Sequence, residues 1–182
     1  EMFFGNSDIG NIRFYRLNRE GSKWKWIAYD LDYGMYAAKF DSPKSYTKAK
    51  GMGQQNINNV ILRKLLTVPE YKEKFLLKLA DIYKTFSTDF MLSVLEPMVE
   101  QITPEMTLHF ARWSEETDKA IIAEVPTNAE AGIRYWQSRV ERLRNTCRKR
   151  PYYLWGYIQD AFELSNAQMV EYFGERPANP ES

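Results

Sequence analysis

A chain of 182 residues with 44% hydrophobic content has enough apolar mass for one sizeable core. Its 25 Lys and Arg against 24 Asp and Glu leave a net charge of +1, which excludes recognition of nucleic acid or an anionic membrane by a global field. The single cysteine, Cys147, excludes an internal disulfide and a cysteine-based zinc site, and no apolar run reaches the ~18–20 residues that span a bilayer.

In chain order, "EMFFGN" is apolar from the start and lacks an initiating Met, so the chain is expected to be a piece of a longer polypeptide. "IRFYR" and "KWKWIAY" are rich in aromatic and β-branched residues and flank the polar "LNREGS"; this pattern predicts an antiparallel hairpin. Residues 40–56, "FDSPKSYTKAKGMGQQN", show no sustained period and predict a long exposed loop. The period then becomes helical. "INNVILRKLL" carries a wide apolar stripe, and "TVPEYKEKFLLKLADIYKTF" starts afresh with Thr67 and Glu70 spaced as a capping box. "STDFMLSVLEPMVEQI" opens at Ser87 or Thr88, and Pro97 is expected to kink or interrupt it. Thr103-Pro104 is expected to start another helix. "NAEAGIRYWQSRVERLRNTCRKR" is the longest amphipathic candidate, with Ile133, Trp136, Val140, Leu143 and Cys147 at spacings of three and four. Pro151 is expected to end it, before a further helix in "YYLWGYIQDAFEL", a short one in "SNAQMVEYFG" and a fraying tail. One domain over residues 1–182 is expected, α+β but mainly helical, with a hairpin packed at one edge of a helical body.

The chemistry concentrates at the hairpin's mouth. With Arg16 opposite Trp24, antiparallel pairing sets Ile12 opposite Ala28 and brings Gly10 and Asn11 beside Tyr29 and Asp30. Strands lie about 4.8 Å apart, so Asn11 and Asp30 are within reach of a common ligand, with Asp8 on the incoming loop. Such hard oxygen donors suit Mg²⁺, which takes one or two carboxylates and completes its shell with water and phosphates. Each of these residue types also serves as a turn former or cap. The order is what favours a site: carboxylate, amide three residues later, hairpin, then "DLDYG". Protein kinases use a loop Asp for the acceptor hydroxyl, a nearby Asn for metal, and a second metal-binding Asp in Asp-Phe-Gly, echoed here by Asp32-Tyr33-Gly34.

"GNSDIGNIRFYR" and "KWKWIAYDLDYG" resemble the Asn-x-Asp, Gly-Asn-aromatic and Trp-x-x-x-Asp-Leu-Asp-aromatic-Gly segments of the CotH kinase family, the spore coat protein H kinases. "LLTVPEYKEKFLLKLADIYKTFST" and "RKRPYYLWGYIQDAFELS" also look like helices of that family. The resemblance implies a protein-kinase-like C-lobe and, in the parent protein, transfer of phosphate from ATP to protein Ser or Thr with Mg²⁺. It implies Asp8 as the acid acting on the acceptor hydroxyl, Asn11 as a metal or loop-stabilising ligand, and Asp30 as the principal Mg²⁺ ligand. Asp32 would be a second ligand or a structural acceptor. It also implies a coat or cell-surface protein as substrate and a spore-coat, secreted or surface location. No Gly-rich loop or strand lysine precedes Asp8, and Gly51-Met52-Gly53 is too generic to replace one. The nucleotide-binding lobe is therefore expected upstream in the same polypeptide, and this piece alone is expected to be inactive. Two other readings remain from the residues themselves: a non-catalytic scaffold with the same fold, and a metal-dependent hydrolase using the same carboxylates.

Elsewhere structural roles are expected. His109, the only histidine, is expected to pack inside a helix, and the basic run "RVERLRNTCRKR" to form a solvated face. Trp113, Trp136 and Trp155 are expected in the core, Trp24 and Trp26 against the helices, and Cys147 as a half-buried helix thiol.

Overall fold

A computed structural model describes residues 1–7, 13–27, 29–48, 59–113 and 128–181. In chain order these form β1 (Arg13–Tyr15), β2 (Lys25–Ile27), α1 (Ser42–Thr47), α2 (Val60–Leu65), α3 (Pro69–Thr85), α4 (Thr88–Trp113), α5 (Ala129–Phe162) and α6 (Asn166–Phe173). The described residues are mainly helical with one antiparallel hairpin, in keeping with the α+β expectation. It divides into two compact units, Glu1–Phe86 with Lys149–Ser182, and Ser87–Arg148.

The hairpin has the expected register: Arg13 faces Ile27, Phe14 faces Trp26 and Tyr15 faces Lys25. Its packing differs from expectation. Both three-residue strands are exposed, Trp24 and Trp26 at 60% and 70%, so the tryptophans do not pack on helices. They meet Phe14 edge-on instead, at 5.3 and 5.4 Å, and the Arg16 guanidinium lies over Trp24. Cross-strand aromatic pairs stabilise a short ladder without help from a core.

The segment read as a loop starts with a helix. Asp41 caps α1 by accepting from the Lys44 N–H at 3.0 Å, Pro43 stands in the first turn, and Ser42, Pro43 and Tyr46 are buried. Residues 49–58 lie outside the described residues. The helical core of this unit comes from Leu76, Leu79, Ala80 and Tyr83 of α3, Leu154 and Ile158 of α5, and Met169 and Phe173 of α6. Tyr83 meets Phe173 edge-on at 5.7 Å, and its hydroxyl donates to the Pro151 carbonyl at 2.9 Å. Burial raises the Tyr83 pKa, which keeps it a donor.

The Thr67–Glu70 capping box is absent. Val68 is the N-cap of α3, and the Thr67 hydroxyl turns back to the Lys64 carbonyl at 2.7 Å. A capping box does form at α6, where Ser165 and Gln168 exchange side-chain-to-backbone bonds. The tail is held rather than frayed. The Trp155 indole donates to the Gly174 carbonyl, Arg176 lies over Tyr152 and Trp155, and Glu181 bonds Lys149 at 3.0 Å and Tyr153 at 2.9 Å. The hydrogen bond from Lys149, then that from Tyr153, pushes the Glu181 pKa down to about 2.

Pro97, expected to kink or interrupt a helix, Pro104, expected to start one, and Pro151, expected to end one, all lie inside helices. Helix α4 runs through Pro97 and Pro104, and α5 through Pro151. A proline leaves the carbonyl four residues earlier without its helical donor. For Pro151 that carbonyl belongs to Cys147, and the Thr88 hydroxyl donates to it at 3.2 Å, so the orphaned acceptor is satisfied and the helix continues. In the unit formed by residues 87–148, Arg144 clasps Glu96 through Nε and Nη2 at 2.8 and 2.6 Å, and these bonds hold the Glu96 carboxyl below its usual pKa. Gly132 lets the Phe110 ring approach where a Cβ would lie 2.3 Å from it. His109 and Trp113 sit on the exposed surface of α4 rather than in a core, whereas Trp155 and Cys147 are buried. Burial raises the Cys147 pKa, so this thiol stays protonated.

Candidate active site

Asp30 leaves β2 in a left-handed backbone conformation, φ +54°, and Met35 follows at φ +59°. Non-glycine residues occupy this region uncommonly, Asp more readily than most, and such conformations collect at functional turns. Between them the Gly34 N–H closes a turn onto the Leu31 carbonyl at 2.8 Å, and the Met35 N–H bonds the Phe4 carbonyl at 2.6 Å. A Cβ at Gly34 would stand 2.8 Å from the Leu31 carbonyl oxygen and 3.3 Å from Phe4 Cβ, so the glycine of "DLDYG" is a steric requirement of the turn. The turn leaves Asp30 and Asp32 exposed to solvent.

The amino-terminal segment is tied to the same turn. Asn6, 1% exposed, donates its amide to the Glu1 carboxylate at 2.7 Å and to the Asp30 carbonyl at 3.5 Å. Its own carbonyl accepts from the Tyr46 hydroxyl of α1 at 3.2 Å. Desolvation first, and then the Glu1 charge, raises the Tyr46 pKa.

Underneath lies Arg150 of α5, fully buried and without a carboxylate among its bonded partners. Nε donates to the Phe3 carbonyl at 2.8 Å, Nη1 to the Ala38 and Phe40 carbonyls at 3.0 and 2.6 Å, and Nη2 to the Met2 carbonyl at 3.1 Å and Ser42 Oγ at 2.6 Å. All five guanidinium N–H groups are thereby used. Burial pushes its pKa down to about 10, so the group remains charged at neutral pH. Gly5, at φ +65°, passes where a Cβ would lie 3.3 Å from Nη2.

Of the residues expected at the site, Asp30 and Asp32 are placed on one exposed turn, and Asp8 and Asn11 lie outside the described residues. Asn6 and Arg150 were missed. Asn6 stands two residues before Asp8, which is a signal; Arg150 stands at the end of the basic run expected to form a solvated face. The better signal was its spacing, since Cys147, Arg150, Leu154 and Ile158 form one stripe of α5 and all four are buried.

Among the described residues no group of three or more His, Cys, Asp or Glu gathers to hold a metal. Asp30 and Asp32 nevertheless fit Mg²⁺ by donor chemistry: two hard carboxylates on one turn are what a cation needs when phosphates and water supply the remainder. An α+β chain with an acidic turn at the exit of a hairpin is the class the geometry defines. A family model described as CotH kinase protein matches residues 1–154, and the chain belongs to the CotH kinase family. No curated protein and no solved structure matches it. The family assignment implies kinase-like function, and with it the use of ATP, a divalent cation and a protein substrate in general. No helix among the described residues is long and apolar enough to cross a membrane.

Proposed function

We propose that this chain supplies the acceptor side and the metal-holding side of a site that transfers phosphate from ATP to Ser or Thr of a protein. The observation that carries the reading is the bond from buried Asn6 to the Asp30 backbone, which ties the segment leading to Asp8 to the turn bearing the metal carboxylates. Asp8 accepts the proton of the acceptor hydroxyl as its oxygen bonds to the γ-phosphorus. The bond to the β,γ-bridging oxygen breaks and ADP leaves. Asp30 and Asn11 would hold Mg²⁺, with Asp32 as a further ligand; bound there, the cation offsets charge on the phosphate oxygens. The hairpin and helices are read as a C-lobe-like body, and the lobe that covers the nucleotide as upstream sequence of the same polypeptide. Residues 1–182 alone are accordingly read as inactive. The family name's association with spore coats supports a coat or surface protein as acceptor and a spore-coat, secreted or surface setting.

The reading is tested by Asp8→Asn in the full-length protein, assayed for ATP-dependent phosphate incorporation into a Ser-rich protein and, separately, for Mg-ATP binding. Turnover is expected to fall by about 10²–10⁴-fold, the usual contribution of a positioned general base, with nucleotide affinity retained. Retained turnover together with a lowered melting temperature would instead make Asp8 a turn former.

A further inference from the structure

The five acceptors of Arg150 fall on two stretches of chain, Met2–Phe3 and Ala38–Ser42. The second stretch follows the acidic turn in the chain, and the first adjoins residues bonded to it. Phe4, next to the first, receives the Met35 N–H, and Asn6 reaches the Asp30 carbonyl. Ser42 joins the two, because its hydroxyl accepts from Arg150 Nη2 and donates to the Met2 carbonyl at 2.5 Å. We infer that Arg150 is a positioning residue for phosphotransfer: its guanidinium clamps the amino-terminal segment that is bonded to the Asp30–Asp32 turn to the segment that leaves the turn, and so sets where the metal carboxylates stand.

A buried charge is costly unless it is hydrogen-bonded. A structural role alone would be met at less cost by an apolar side chain on the α5 stripe, whereas a planar fork of five donors fixes several carbonyls at once. Lysine has the charge but only three donors radiating from one point, so it cannot span Phe3, Ala38, Phe40, Met2 and Ser42 together. Arg150 touches neither substrate nor metal in this account; it acts through the backbone of the turn. The proposal rests on the phosphotransfer reading of Asp30, and its test separates the two.

The variants are Arg150→Lys, Ser42→Ala and Asp30→Ala in the full-length protein. They are compared by amide hydrogen exchange at Gly34 and Met35, with Met169 of α6 as internal reference, and by the Mg²⁺ concentration giving half-maximal phosphate incorporation. Arg150→Lys is expected to speed exchange at Met35 about tenfold or more relative to Met169, and to raise the Mg²⁺ requirement by a similar factor, since several hydrogen bonds are lost together. Ser42→Ala, which removes one acceptor of Arg150 together with the hydroxyl's own bond to Met2 and leaves the guanidinium in place, is expected to move both readouts the same way by roughly threefold. If Arg150→Lys does not fold, Ser42→Ala decides alone. Exchange rising equally at Met35 and Met169 with an unchanged Mg²⁺ requirement would overturn the positioning role, as would a Ser42→Ala protein indistinguishable from wild type. Full activity in Asp30→Ala would remove the phosphotransfer reading and the positioning role with it, while faster exchange at Met35 alone would still show that Arg150 holds the turn.

Discussion

Replacing Asp30 by Ala is expected to lower ATP-dependent phosphate incorporation by at least about 10²–10³-fold, the scale of loss when one preorganised electrostatic contact to a transition state is removed. The fold is expected to survive. Asp30 is exposed, the bond from Asn6 goes to its backbone carbonyl, which the substitution keeps, and no core side chain is displaced. Melting is therefore expected to shift little, although Ala is less at ease than Asp at φ +54° and a small loss from that source is part of the expectation. A loss of activity at constant stability is the signature of a metal ligand, and a loss of stability at constant activity that of a turn residue. Incorporation measured beside a thermal melt of the same variant reads both.

The largest stability effect is expected inside the helical core that carries this turn. Leu154 is 0% exposed, on the α5 stripe one turn beyond Arg150. Leu154→Ala removes three buried carbons and leaves a cavity that close-packed neighbours fill only in part, a change costing about 2–5 kcal/mol. For a domain of this size that corresponds to roughly 5–15 °C in melting temperature. Leu108→Ala is the comparison: at 67% exposure the same truncation on α4 is expected to stay within about 0.5 kcal/mol. Chemical denaturation of the two variants checks the contrast. Equal midpoints would contradict the placement of the core.

The hairpin was legible in the sequence because alternation fixes a strand's register to the residue, and the observed pairs continue the Arg16–Trp24 alignment. Helix starts at Ser87 and Ser165 were legible for a related reason, since a hydroxyl that satisfies a first-turn N–H is a local event; Ser87 Oγ accepts from the Phe90 N–H at 3.2 Å. Helix ends were not. Pro151 is a breaker by its own chemistry, and what overrules it is a hydroxyl at Thr88, distant in sequence and invisible to any local window. Helix α1 was hidden in the same way, because Ser42 and Tyr46 are buried through bonds to Met2, Arg150 and Asn6 rather than through an apolar period. The tryptophans of the hairpin show the converse, since their apolar character does not bring burial and Phe14 is their ring partner among the described residues.

Of the candidate site, the acidic turn and its glycine were legible because Asp30, Asp32 and Gly34 are contiguous and their chemistry is local. Its supports were not, since Asn6 and Arg150 act across separations of 24 and up to 148 residues. Arginine on a helix reads as solvated until the stripe it shares with Leu154 and Ile158 is noticed.

In the proposed site Asn11 and Asp30 hold the cation, with Asp32 as a further ligand and Asp8 beside them as the base. The arrangement is checked by paramagnetic broadening, with Mn²⁺ and ATP in place of Mg²⁺ and ATP, recorded on the amide signals of the full-length protein. The signals of residues 8–11 and 30–32 are expected to broaden together at the same low Mn²⁺ concentration, with Met169 and Phe173 of α6 unaffected. Broadening at residues 30–32 alone, or at neither segment, would contradict it.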